Sequence, residues 1–109
     1  MGTTDYISAQ ALPANVEAER SILGAILLDN LAYSQAAEHL KPEDFLLDSH
    51  RRIYSRMVDL ADASHSIDLI TLAEELSRHA ELEPIGGVAY ISGLLDGVPD
   101  RPSIEHYIK

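Results

Sequence analysis

The segment Leu12 to Asn30, LPANVEAERSILGAILLDN, constrains the fold more than any other part of the chain. Pro13 holds Leu12 in extended backbone, and the Asn15 side chain can accept hydrogen bonds from the amides that a first helical turn leaves open. Val16, Leu23, Ile26 and Leu27 then fall on one helical face. Glu17 and Glu19 stand in the first turn, where carboxylates suit the positive end of the helix dipole, and Asp29-Asn30 closes the segment. This pattern predicts a buried helix. Gly24 sits in its middle at a cost of about 1 kcal/mol relative to alanine, which implies close approach of a second helix or a partner.

A core for such a helix must come from aliphatic side chains. The chain has 109 residues, 46% of them hydrophobic, and its aromatics are five Tyr and one Phe with no Trp. At this size folding hides roughly 65% of the surface of the unfolded chain, enough for one core. Leu, Ile, Val and Ala without long β-branched runs favour helix packing over a β-sandwich.

Helical spacing recurs along the rest of the sequence. Met1 to Leu12 lacks periodicity and reads as an N-terminal arm over residues 1–11, with the globular part spanning 12–102. Leu31 to Leu40 places Tyr33, Ala36, Ala37 and Leu40 on a face, and Lys41-Pro42 breaks it. Glu43 to Leu47 is a turn presenting Phe45 inward. Asp48-Ser49 reads as the cap of a third helix carrying Ile53, Met57, Leu60 and Ala61. Ala63 to Ile67 is a loop, and Asp68 caps a fourth helix, Leu69 to His79, with Leu69, Leu72, Ala73 and Leu76 inward and Glu74 and Glu75 facing solvent. Pro84-Ile85-Gly86-Gly87 turns the chain into a fifth helix with Val88, Ile91, Leu94 and Leu95 on its apolar face, ending near Gly97. Residues 103–109 have Ile104, Tyr107 and Ile108 at helical spacing and no terminator, so they read as the start of a further helix cut short. The expected fold is all-α: a single compact orthogonal bundle of about six helices, burying Leu23, Ile26, Leu27, Ile53, Met57, Leu60, Leu72, Leu76, Ile91 and Leu94.

Charge narrows the partners. Eighteen acidic and eight basic side chains give a formal charge of −10, with only Lys41 and Lys109 as lysines. Nucleic-acid affinity comes largely from neutralising phosphates, so strong direct DNA binding is not expected and proteins are the expected partners. The absence of cysteine removes disulfides and thiolate metal sites. Apolar runs such as Ala25–Leu28 fall far short of the roughly 20 residues that span a bilayer, and no signal segment opens the chain, which places it by default in the cytoplasm with no membrane contact.

Residue patterns for catalysis are thin. Histidines 39, 50, 65, 79 and 106 include no pair at i+3 or i+4. The carboxylates Glu43, Asp44 and Asp48 near His50 are better explained by capping than by metal ligation. No Gly-x-Ser-x-Gly elbow is present, and no Gly-Lys pair exists to complete a P-loop around Gly86-Gly87. No catalytic, cofactor or metal residue is therefore assigned. Arg51, Arg52 and Arg56 form the clearest basic island, read first as a solvated helix face pairing with Asp48 and Asp59 and second as a docking strip.

Four segments in this order, Pro13–Asn30 (PANVEAERSILGAILLDN), Glu43–Leu60 (EDFLLDSHRRIYSRMVDL), Ile67–Leu76 (IDLITLAEEL) and Ile85–Leu95 (IGGVAYISGLL), resemble the N-terminal domain of the bacterial replicative DNA helicase, the DnaB family. Ala14, where the family usually has a polar residue, and the Asp100-Arg101-Pro102 entry to the last segment depart from its pattern. The resemblance implies a non-catalytic collar domain of a hexameric ring that docks the primase C-terminal domain during DNA replication. It also implies that a helical hairpin and a motor domain using ATP and Mg would follow Lys109. Glu17 and Tyr90 match positions associated with the primase-facing surface. For each the residues leave a plainer role open: helix-dipole service for Glu17 and packing against the first helix for Tyr90. Two alternatives share the helical pattern, the helicase-binding C-terminal domain of primase and a small DNA-binding regulator reading through Arg51, Arg52 and Arg56.

Overall fold

Asn15 begins the described structure and does what its side chain suits it for. In the computed structural model, which describes residues 15–96, its Oδ1 accepts from the amides of Glu17 and Ala18 at 2.8 and 3.2 Å. Helix α1 follows over Val16–Leu28 and buries Ile22, Leu23, Gly24, Ala25, Ile26 and Leu27. Val16 remains half-buried at the helix start. The expected close at Asp29-Asn30 is a sharp corner instead. Asp29 ends α1 and its carboxylate accepts from the Leu31 amide, so one residue serves as C-cap of α1 and N-cap of α2, Asn30–Ala37.

Helix α2 buries Ala32 and Ala36, while Ala37, expected inward, is exposed. A 3-10 turn over Pro42–Asp44 delivers Phe45 to the core at 1% exposure. Helix α3, Asp48–Asp62, is capped by Leu47 without a side-chain hydrogen bond, so Asp48 is its first residue and not its cap. Its Ile53, Met57 and Leu60 are buried as expected, and His50 and Tyr54 join them, whereas Ala61 lies at the core edge.

Asp68 caps α4, Leu69–Arg78, through a reciprocal pair: its carboxylate accepts from the Thr71 amide at 2.8 Å, and its own amide donates to Thr71 Oγ1 at 3.0 Å. Leu72 and Leu76 are buried, with Leu69 and Ala73 packed around them. Helix α5, Gly87–Gly93, starts from Gly86 at φ +115°, a left-handed conformation that side chains disfavour. Ile91 and Leu94 point inward, but Val88, expected on that face, is 48% exposed.

Among the described residues the protein is all-helical, with α1 packed on α2 and α3, α3 on α4, and α4 on α5. All ten side chains expected in the core are buried. Asn30 ties the layers together: its amide nitrogen donates to the Ile26 and Ile67 carbonyls, and its oxygen accepts from the Ile67 amide at 2.9 Å. The arm, Gly97 and the expected last helix lie outside the described residues.

Candidate functional site

Helices α1, α3 and α5 converge on two polar side chains in an otherwise apolar interior. Glu19 and His50 are 1% and 0% exposed, and Glu19 Oε1 lies 2.8 Å from His50 Nδ1. The other carboxylate oxygen accepts from the Leu46 amide. An ionised carboxylate can only accept, so Nδ1 carries the proton. With the ring neutral, Nε2 is then an acceptor, and Tyr90 Oη donates to it across 2.6 Å. A buried charge is costly unless paired and hydrogen-bonded, and both conditions hold here.

Tyr90 is where this chain reaches the surface. Its ring is half-buried, tilted 32° to His50, with the Arg20 guanidinium 5.3 Å from its centroid. Arg20 in turn donates to the Gly93 carbonyl at 3.4 Å. The backbone beneath is fitted to the ring: a Cβ on Gly86 would fall 2.8 Å from Tyr90 Cβ. Val88 and Leu46, 48% and 52% exposed, add apolar surface on the elements that carry Tyr90 and the Glu19 contact. Glu17 is exposed one turn before Arg20 on α1, at the i,i+3 spacing that shares a face.

The three arginines of α3 each hold different partners. Arg51 donates through Nε to the Phe45 carbonyl at 2.7 Å and through Nη2 to the Leu46 carbonyl at 3.1 Å, clamping the turn above Glu19. Arg52 pairs with Asp48 at 2.9 Å, and Arg56 with Asp59 at 3.0 Å, the partners expected from spacing. Arg56 also meets Glu81 at 3.4 Å as a charge pair not aligned for a hydrogen bond. Arg20 and Arg51 thus have no carboxylate partner among the described residues; Arg20 lies over the Tyr90 ring, and Arg51 holds the Phe45-Leu46 turn whose amide binds Glu19.

Sequence spacing misses two groupings. Glu19, expected to serve the helix dipole, is buried on His50, 31 positions away, a pairing that only tertiary packing makes. Glu75, expected to face solvent, is half-buried and lies with Asp59 and His79 so that their ligating atoms are within 4.8 Å. Arg56 on Asp59 and Arg78 on Glu75 already pair these carboxylates. A hollow lined by Ser77, Ala80, Leu82 and Glu83 offers one carboxylate and no converging acid and base.

Comparison with known proteins places this geometry. The family described as DnaB-like helicase N terminal domain matches residues 11–109. The replicative DNA helicase DnaB of Geobacillus stearothermophilus and the replicative DNA helicase DnaC of Bacillus subtilis (strain 168) are each 40% identical over 106 residues, 97% of this chain and 23% of theirs. The chain thus spans about a quarter of the length of these curated relatives. The crystal structure of the N-terminal domain of DnaB helicase from Mycobacterium tuberculosis superposes with a TM-score of 0.76 at 36% identity, covering 78% of this chain and 61% of that one.

Proposed function

Because the chain belongs to the DnaB-like helicase N-terminal domain family, we propose that it is a non-catalytic collar domain that helps assemble a helicase ring and docks the primase C-terminal domain in the cytoplasm during DNA replication. The ATP and Mg chemistry of such a helicase is assigned to a motor domain, since no Gly-Lys pair is available here to form a P-loop. Other subunits of the ring are the second class of partner. Among the described residues, no helix is long and apolar enough to cross a membrane.

The observation that carries the docking role is the tethered Tyr90, a half-buried aromatic with a cation over its ring. An aromatic held in one orientation offers contact area at low entropic cost, the character of an interface anchor. Glu17, a turn before Arg20, belongs to the same proposed surface, and Arg51 borders it through Leu46. Arg52 and Arg56 are assigned to the ion pairs of α3, which also weakens the reading of a DNA-binding regulator. The helicase-binding domain of primase is the weaker alternative, because the matched relatives are helicases.

Calorimetric titration of the cognate primase C-terminal domain into the 109-residue chain tests the reading. Binding that weakens at least about tenfold in Tyr90→Ala supports it, as loss of an interface anchor of about 1.4 kcal/mol or more. Binding that is unchanged in that variant refutes it.

A further inference from the structure

Resting on that docking role, we infer that Glu19 and His50 are positioning residues for Tyr90. Neither is placed to touch a partner, since both are almost wholly buried. Their effect passes through three hydrogen bonds in series. The Leu46 amide holds one Glu19 oxygen, the other oxygen fixes the proton on His50 Nδ1, and Nε2 then takes the hydroxyl proton of Tyr90 in a hydrogen bond. The phenol is therefore committed inward as a donor. A partner meets the ring, Val88, Leu46 and the two arginines that lack a carboxylate partner among the described residues, and with its proton committed to His50 the hydroxyl faces the docking protein as an acceptor only.

The relay has a polarity that an isosteric change reverses. In Glu19→Gln the amide oxygen is required by the Leu46 N–H, which leaves the NH2 group facing Nδ1. Two donors cannot face each other, so the imidazole proton moves to Nε2, and Nε2–H donates to Tyr90 Oη. The phenol proton must then turn away from His50. Side-chain volume is nearly conserved, so the change falls on hydrogen-bond direction rather than on packing.

A double-mutant cycle separates positioning from general stability. Binding of the primase C-terminal domain is titrated against the unaltered chain, Glu19→Gln, Tyr90→Phe and the double variant. We expect Glu19→Gln to weaken binding at least about fivefold when Tyr90 is intact and less than about twofold when Tyr90→Phe is already present, because the relay then has no hydroxyl to act on. An equal loss in both backgrounds, or none in the first, overturns the positioning role while leaving the docking role standing. Absence of binding by the unaltered chain instead overturns the docking role, and this inference with it. Ring nitrogen-15 shifts of His50 provide a readout on the unaltered chain even if Glu19→Gln fails to fold: a neutral ring protonated on Nδ1 alone supports the relay, and a ring protonated on Nε2, alone or together with Nδ1, overturns it.

Discussion

Glu19 Oε1 and His50 Nδ1 meet 2.8 Å apart where both side chains are withdrawn from solvent, joining α1 to α3. Removing one member leaves the other buried without its partner. His50→Ala, which leaves the buried carboxylate without its partner, should cost about 3 to 5 kcal/mol, and Glu19→Ala, which leaves a neutral imidazole unpaired, about 1 to 3, each a large part of the stability of a small domain. Urea unfolding measures this, and a loss under about 1 kcal/mol would place the pair nearer to water than the structure does.

Tyr54 gives the domain an alkaline limit. Burial pushes its hydroxyl well above the ordinary 10.0, with Tyr33 and Asp44 adding to the rise, and the hydroxyl donates to the Leu40 carbonyl at 3.2 Å. Tyr33 is shifted the same way by burial and Asp62. A raised folded-state pKa contributes stability that is fully present below 10.0 and declines as pH rises, since the unfolded chain releases the proton first. Unfolding free energy should therefore fall between about pH 9 and about pH 11, with a smaller fall in Tyr54→Phe. Urea titrations at the two pH values compare the slopes.

Asn30 holds the corner between α1 and α2 to the loop before α4. It makes both backbone hydrogen bonds to Ile67, which is 3% exposed. Asn30→Ala should cost about 1 to 3 kcal/mol, and Leu23→Ala, a cavity in the middle of α1, about 2 to 5. Thermal unfolding of the two variants checks both values, and an unchanged melting temperature in either contradicts its placement.

What is legible in the sequence is whatever depends on near neighbours. Asn15 and Asp68 are readable as caps because the amides they bind lie two or three residues on, and the inward leucines and isoleucines because a helix repeats every 3.6 residues. His50 and Tyr54 escape because a stripe defined by aliphatic side chains skips a buried imidazole and phenol, although they extend the same face through Ile53 and Met57. Glu19 escapes because a first-turn carboxylate already has a local explanation, and its partner is 31 positions away. Tyr90 stands out as a candidate from the sequence, but its tether to α3 does not. The spacing of Val88 from Ile91 fits an apolar face, yet Val88 lies exposed in the first turn of the helix.

Gly86 should tolerate no side chain. Its φ is +115°, and an added Cβ would meet Tyr90 Cβ at 2.8 Å, atoms with no freedom to swing aside. Gly86→Ala should cost about 1 to 3 kcal/mol and displace the Tyr90 ring. Unfolding curves read the cost, and loss of the upfield shift that Tyr90 imposes on Arg20 side-chain protons reads the displacement.

The most direct test of the docking surface is a chemical-shift footprint of the primase C-terminal domain on the isotope-labelled chain. The proposed contact is the end of the domain formed by Tyr90, Val88, Leu46, Arg20 and Glu17. Perturbations should cluster on those residues, with His50 responding through its bond to Tyr90. A footprint centred on Ile70 and Glu74 of α4, with Tyr90 and Leu46 unmoved, would contradict the account.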